Sequence, residues 1–280
     1  MNKTLPFCLD HFTVAAKDRR HASEILKGLG FVTSDTRKNG TTHFILDNGY
    51  VEVGAPPPGG VITWLTNSIP VGEIPRVASY RLSVKGKDAF MVHDTLMKSD
   101  VVGVGDVNNP THQFVRYGDR SGEAGYQTIF IIGQEPFTDV LFGCTTHLNK
   151  ELEVALPGKF AHVNGAHRIK EVCFLCEDQQ TADTAEGNIL TVYNAMKEVT
   201  DHEYCVDTAR ILDKAGYEET FGVPCQVAGH FPMVSVTFSG CVLDYVETQA
   251  EDWNLPCFEK DGMLYVDARA DLGLFLIFES

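Results

Sequence analysis

Three strand-like runs in the first half of the chain each carry a histidine or a glutamate among mostly apolar neighbours. His11 lies in LDHFTVAA, Glu52 in YVEVGAP and His147 in VLFGCTTH. Because side chains alternate across a strand, each run places its ionisable residue on one face and its valine or phenylalanine on the other. Imidazoles and carboxylates can bind a metal or transfer a proton, although a histidine in a strand is often only a hydrogen-bonded polar group.

The elements around these runs repeat. The first strand is followed by a helix that ends before Gly30, and then by two or three strands with Asn-Gly turns at 39–40 and 48–49. A second strand and helix begin with ASYRLSV at 78–84. The first half is therefore predicted to hold two βαβββ modules, at about 5–56 and 77–150. The helix positions expected to be buried are Ala22, Ile25, Leu26 and Leu29 in the first module, and Ala89, Val92 and Leu96 in the second.

The second half begins again with a strand. IKEVCFLCED at 169–178 precedes a helix, and further strands end with MLYVDARADLGLFLIFES. This predicts a related α+β unit over 161–280, following a two-module domain over 1–160. Cys173 and Cys176 form a C-x-x-C, but an offset of three places two residues on opposite faces of a strand, so core packing is the expectation.

Composition excludes several classes of protein. The chain has 280 residues, 44% of them hydrophobic, and a formal net charge of −15. Such a charge repels nucleic acid and anionic membranes, and the size allows a substantial core. The start lacks a secretory h-region, no window is apolar enough to span a membrane, and the eight cysteines are scattered. These features predict a cytoplasmic protein with reduced thiols, whereas its small-molecule partner and its state as a monomer or a homodimer are expectations from a family resemblance.

Several of these runs resemble one superfamily. LDHFTVAAKDRRHASEILKGLGF followed by FILDNGYVEV is similar to the opening module of glyoxalase-like members of the vicinal oxygen chelate superfamily. The stretch from Cys144, with its H-x-N-G-A motif at 162–166, resembles the segment before a further module in longer members. The resemblance implies an α+β fold in which paired βαβββ modules form a cupped mixed sheet. It also implies metal ligands on the first and fourth strands of each module.

Carried onto this sequence, the resemblance assigns His11, Glu52 and His147 as metal ligands. Two imidazoles and one carboxylate leave coordination positions open, which suits divalent iron, manganese, nickel or zinc. The first strand of the second module departs from the pattern, because ASYRLSV offers neither histidine nor glutamate. Arg81 in that strand could instead bind a substrate carboxylate or enolate. In the last module the expected carboxylate position is Ile277, so no second metal centre is predicted.

Two functions follow from this reading. The first is a metal-dependent enzyme that binds a small oxygenated metabolite by bidentate chelation, for isomerase, lyase or dioxygenase chemistry. His43 or Tyr50 would move the proton in the isomerase or lyase version, although surface exposure also explains His43. The alternative is a metal-free protein that sequesters a planar compound, in keeping with the missing fourth ligand. The aromatic residues expected near the substrate are Tyr50, Trp64 and Phe142. His162 and His167 flank a turn and are expected to cap or dock the linker.

Overall fold

A computed structural model describes most of the chain, namely residues 2–16, 18–33, 41–54, 76–83, 88–108, 111–117, 120–132, 141–147, 161–199, 206–226 and 231–280. The first half contains β1 (Asn2–Ala15), α1 (Arg19–Gly28), β2 (Thr42–Leu46), β3 (Gly49–Gly54), β4 (Arg76–Ser83), α2 (Ala89–Met97), β5 (Val104–Val107), β6 (Thr111–Tyr117), β7 (Arg120–Ile131) and β8 (Leu141–His147). The second half contains β9 (Arg168–Leu175), α3 (Gln179–Met196), β10 (Val206–Leu212), α4 (Lys214–Phe221), β11 (Met233–Ser239), α5 (Leu243–Asp252), β12 (Cys257–Lys260), β13 (Met263–Ala268), α6 (Arg269–Leu272) and β14 (Leu274–Glu279).

An aspartate begins four of these helices. Its side chain accepts a hydrogen bond from a backbone N–H of the first turn, which satisfies a group that has no partner inside the helix. The faces predicted to be buried are buried, with Ala22, Ile25 and Leu26 in α1. In α2 they are Ala89, Val92 and Leu96. The four capping residues are Asp18, Asp88, Asp178 and Asp213.

Strand pairing confirms the α+β modular architecture. In the first half, β1 pairs in parallel with β3, and β4 with β8, while β1 and β4 pair antiparallel. The second half repeats this scheme: β9 pairs in parallel with β10, β11 pairs in parallel with β14, and β9 pairs antiparallel with β11. The region predicted as one related unit therefore contains two module-like pairings. Antiparallel pairing of β1 with β10 joins the halves into one mixed sheet of 14 strands within the described residues.

The long strand β1 belongs to both halves. Its first part, to Leu9, pairs with β10, and its second part pairs with β4 from Leu9 onwards and with β3 from His11 onwards. Register shifts fall between Pro6 and Leu9 and again between Leu9 and His11. Cys8 lies within the first of these shifts and has a φ of 51°, a left-handed conformation that is uncommon outside glycine. Such irregularities bend a strand and redirect side chains, here immediately before His11.

The two halves differ in what covers the sheet. In the second half, α4 lies against one face, and Phe221 stacks on Phe275 of β14 at 4.4 Å between ring centroids. Tyr217 and Ile277 belong to the same buried apolar cluster. The corresponding face of the first half carries polar residues instead.

The linker between the halves is docked by side-chain hydrogen bonds. Nδ1 of His162 accepts from the backbone N–H of Val32 at 2.9 Å, and Nε2 lies 3.0 Å from the Ile45 carbonyl oxygen, to which it donates. Asn164 donates to the carbonyl of Leu29 at 2.9 Å. The linker-docking prediction for His162 is confirmed. The motif therefore fixes the start of β9 against the first module.

This docking predicts a pH effect on stability. Burial lowers the pKa of His162, against smaller opposing effects of the Ile45 carbonyl and Asp47. The folded chain thus keeps the imidazole neutral, whereas the unfolded chain takes up a proton below a pKa of about 6.5. Because the unfolded state then binds more protons, stability should be lost as the pH falls through about 6.5. Protonation would also put a hydrogen on the nitrogen that accepts from Val32.

The measurement is urea denaturation of the wild type and His162→Gln at pH values of about 7.5 and 5.5. The wild type should lose more unfolding free energy over this interval than the variant loses. Comparing the two removes the contributions of other titrating groups that they share. An equal loss in both proteins would contradict this role for His162.

Candidate active site

Strand register places the predicted site residues in two neighbouring rows of the first-half sheet. In one row, His11 pairs with Tyr50 of β3 on one side and with Arg81 of β4 on the other. In the next row, Glu52 pairs with His43 of β2 and with Thr13 of β1. Directly opposed residues share a face of the sheet. Residues from three strands of the first module thus meet on one surface.

His11 and His147 meet at a carboxylate that the sequence analysis did not select. Oδ2 of Asp10 lies 2.7 Å from Nδ1 of His11 and 3.0 Å from Nε2 of His147. Asp10 is fully buried, with 0% relative exposure, and both histidines are buried. The contact joins the first strand of module one to the last strand of module two. Two predicted ligands are therefore brought together, although they are far apart in the sequence.

Glu52 lies in a second cluster beside the first. Its Oε2 accepts a hydrogen bond from the Thr13 hydroxyl at 3.1 Å, and its Oε1 lies 3.9 Å from Nε2 of His43. The ring of Tyr50 connects the clusters, because it stacks on His11 at 4.2 Å and lies 5.2 Å from His43. His43 is buried, so the expectation that it is exposed at the surface is wrong. The two clusters form one continuous polar and aromatic surface.

Strict alternation explains why Asp10 was missed. The residue before His11 should point to the opposite face of a regular strand. The register shift between Leu9 and His11 breaks that rule and allows both side chains to reach each other. The available signal was the residue type itself, because a carboxylate inside an apolar strand requires a hydrogen-bonding partner when it is buried.

The other predicted substrate contacts have different outcomes. Trp64 lies outside the described residues. The backbone of Arg81 pairs with His11 and Gly143, which places this residue in the same row as the histidine. Phe142 is buried in the hydrophobic core, with its ring 6.4 Å from that of Phe7. This is the position of a core residue, on the strand face away from the one predicted for His147.

The imidazole and carboxylate groups on this surface are of the types that bind divalent metals. Imidazoles with a carboxylate suit iron, manganese, nickel and zinc. Among the residues that the structure describes, however, no three His, Cys, Asp or Glu side chains are spaced to hold one ion. A centre formed by His11, Glu52 and His147 would require Glu52 to exchange its contact with Thr13 for the metal. The ligand assignment therefore stays a prediction.

The C-x-x-C pair lies away from this surface. Burial raises the pKa of the Cys173 thiol to about 12 and that of Cys176 to about 11. A thiol must be deprotonated to attack or to bind a metal, so both side chains are unreactive near neutral pH.

The helices within the described ranges include none that is both long and apolar enough to cross a membrane.

Solved structures have a similar fold over nearly the whole length of this chain. A manganese(II)-bound glyoxalase from Novosphingobium aromaticivorans matches with a TM-score of 0.51 and 10% identity, over 99% of this chain and 82% of its own. A variant of 4-hydroxymandelate synthase from Streptomyces coelicolor matches with a TM-score of 0.50 and 12% identity, over 98% and 92%. This chain has a glyoxalase-like α+β fold. Sequence identities of 10% and 12% establish a shared fold but not a shared activity.

Another structure with a similar fold belongs to a longer protein. A xylose isomerase-like TIM barrel/4-hydroxyphenylpyruvate dioxygenase fusion protein matches 98% of this chain, with a TM-score of 0.51 and 10% identity. The present chain spans about half of that protein, 49% of its length. No protein-family model matches the sequence, and no curated protein matches it.

Proposed function

We propose that the chain is a metal-dependent enzyme of the vicinal oxygen chelate type that acts on a small oxygenated metabolite. The observation that carries the proposal is the meeting of His11 and His147 on the buried carboxylate of Asp10. A fold neighbour described as manganese(II)-bound and another described as a dioxygenase fusion support a divalent metal and this general class. The reaction would be an isomerisation, a lyase step or an oxygenation.

His11 and His147 would hold the metal together with Glu52. A divalent ion in such a site polarises chelating substrate oxygens or activates dioxygen. The roles of the surrounding residues follow from their positions. His43 lies 3.9 Å from Glu52 and beside Tyr50, and its imidazole would accept a proton from a substrate carbon or hydroxyl.

The rest of this surface would orient the substrate. The stacked rings of Tyr50 and His11 offer an aromatic wall, which favours a planar substrate part. Arg81 is next to His11 in the strand register and would bind an anionic group, because a guanidinium can donate two hydrogen bonds to a carboxylate. We therefore propose a substrate with an oxygenated, metal-chelating end and a carboxylate or enolate.

Thermal unfolding with and without metal tests the enzyme proposal. A metal that binds only the folded chain stabilises it, by about 2.7 kcal/mol when the free metal is at 100 times its Kd. The melting temperature should fall when a chelator strips the protein and should recover when Mn(II) is added in excess. The same treatment of a His11→Ala, His147→Ala double variant provides the control and should produce no shift. A wild-type melting temperature that changes neither with the chelator nor with Mn(II) would favour the metal-free binding protein.

A further inference from the structure

We infer that the second half of the chain carries a binding site of its own for a small zwitterion, of which a free α-amino acid is the simplest kind. Arg210 of β10 and Glu171 of β9 form the centre of this site. It lies beside α4, on the sheet face that this helix covers in part. The inference is independent of the proposed function, because the site uses neither a metal nor a residue of the first half.

Strand register places both charged residues on that face. Arg210 pairs with Cys173, and Leu212 pairs with Leu175. Cys173, Leu175 and Leu212 belong to the buried apolar cluster that α4 covers. Because side chains two residues apart on a strand share a face, Arg210 lies on the face of Leu212, and Glu171 lies on the face of Cys173. Beyond the edge of α4, the apolar cluster therefore continues into an ion pair.

This ion pair keeps hydrogen-bonding capacity for a ligand. Nε of Arg210 lies 3.1 Å from Oε1 of Glu171, but among the described residues this nitrogen is a buried donor without a hydrogen-bond partner. A guanidinium has more N–H donors than one carboxylate oxygen and the Cys173 thiol can accept from. The side chains of Arg210 and Glu171 remain 18% and 24% exposed. A small molecule can therefore reach both groups from the solvent.

The balance of charge selects a zwitterion. Burial raises the pKa of the Glu171 carboxyl, and Arg210 and Lys170 offset this effect only in part. A further cationic group beside Glu171 would therefore stabilise its negative charge. A simple anion would be repelled by Glu171 and a simple cation by Arg210, whereas an α-amino acid presents both charges side by side. Its carboxylate would accept hydrogen bonds from Arg210, and its ammonium group would donate to Glu171.

Aromatic and hydroxyl side chains complete the site. Thr237 of β11 pairs with Glu171 and is buried. Burial raises the pKa of Tyr265, an effect that Arg210 opposes and Glu171 reinforces, so the Tyr265 hydroxyl lies within reach of both charges. The ring of Tyr265 stacks on that of the half-buried Phe258, with 4.9 Å between their centroids. These rings would provide an apolar surface for the side chain of the bound amino acid.

Saturation-transfer NMR with pools of the standard amino acids as probes tests the inference. At least one amino acid should bind the wild type, and Arg210→Gln should weaken its binding about 10–100-fold, as expected when hydrogen bonds to a charged group are lost. Lys3→Gln is the matched control. Lys3 pairs with Ile211, the neighbour of Arg210, but its ammonium group contacts Asp183 and Glu186 of α3. This variant removes the same charge and should bind as the wild type does.

Calorimetry on the wild type provides a second readout that needs no variant. The amino acid that binds best is compared with the carboxylic acid that lacks its ammonium group and with the amine that lacks its carboxylate. Each analogue should bind at least about 10-fold more weakly. The inference would be overturned if no amino acid bound the wild type, if a folded Arg210→Gln protein bound it equally well, or if either analogue bound as tightly.

Discussion

Replacing His11 or His147 with alanine is expected to abolish stable Mn(II) binding while the protein still unfolds cooperatively. Each substitution removes one of two imidazoles that meet at Asp10, and the remaining groups are too few for a tight site. The measurement is bound manganese per chain after incubation with Mn(II) and gel filtration. Each variant should also lose about 1–3 kcal/mol of stability, because Asp10 loses a buried donor.

The exposed histidine His21 supplies the control for this experiment. Its side chain lies at the surface and contacts Asp271 rather than Asp10. His21→Ala should therefore bind manganese as the wild type does. Full manganese occupancy in both the His11→Ala and His147→Ala proteins would refute the assignment of these histidines as metal ligands.

The largest expected loss of stability is at Phe221. This ring is 1% exposed and stacks on Phe275 where α4 covers the second-half sheet. Phe221→Ala should reduce the free energy of unfolding by about 3–5 kcal/mol, the usual cost of a large cavity in a core. Urea denaturation measures the change. Manganese binding by the folded fraction should stay as in the wild type, because α4 lies on the other half of the chain.

A phenylalanine at the surface makes the comparison specific. Phe90 lies in the first turn of α2 and is 64% exposed, so Phe90→Ala should change stability by no more than about 0.5 kcal/mol. If Phe221→Ala were as mild as Phe90→Ala, α4 would not be packed against the sheet as described. The face of the second half would then be open to ligands.

Periodicity alone predicted the modules and the buried faces of their helices. Ala22, Ile25 and Leu26 recur at helical spacing and are buried, because one side of an amphipathic helix must cover the sheet. Alternation likewise predicted the shared surface of His11, Tyr50 and Glu52, which the parallel pairing of β1 with β3 brings together. These features depend on local sequence and on a regular strand.

Features that depend on irregular backbone or on tertiary packing could not be predicted in this way. Asp10 reaches the imidazoles through a register shift, and no local pattern encodes where such a shift falls. The covering of the second-half sheet by α4 depends on contacts between Phe221 and a strand more than fifty residues later. The pairing of β1 with β10 also joins distant segments, so the linkage of the two halves was not foreseen.

Elemental analysis of protein purified without added metal or chelator tests the central claim most directly. The account predicts about one iron, manganese, nickel or zinc ion per chain, held by His11, His147 and Glu52. Iron would direct the search for substrates towards oxygenation, and the other metals towards isomerases and lyases. A content near zero that reconstitution with each of these metals cannot raise would contradict the account.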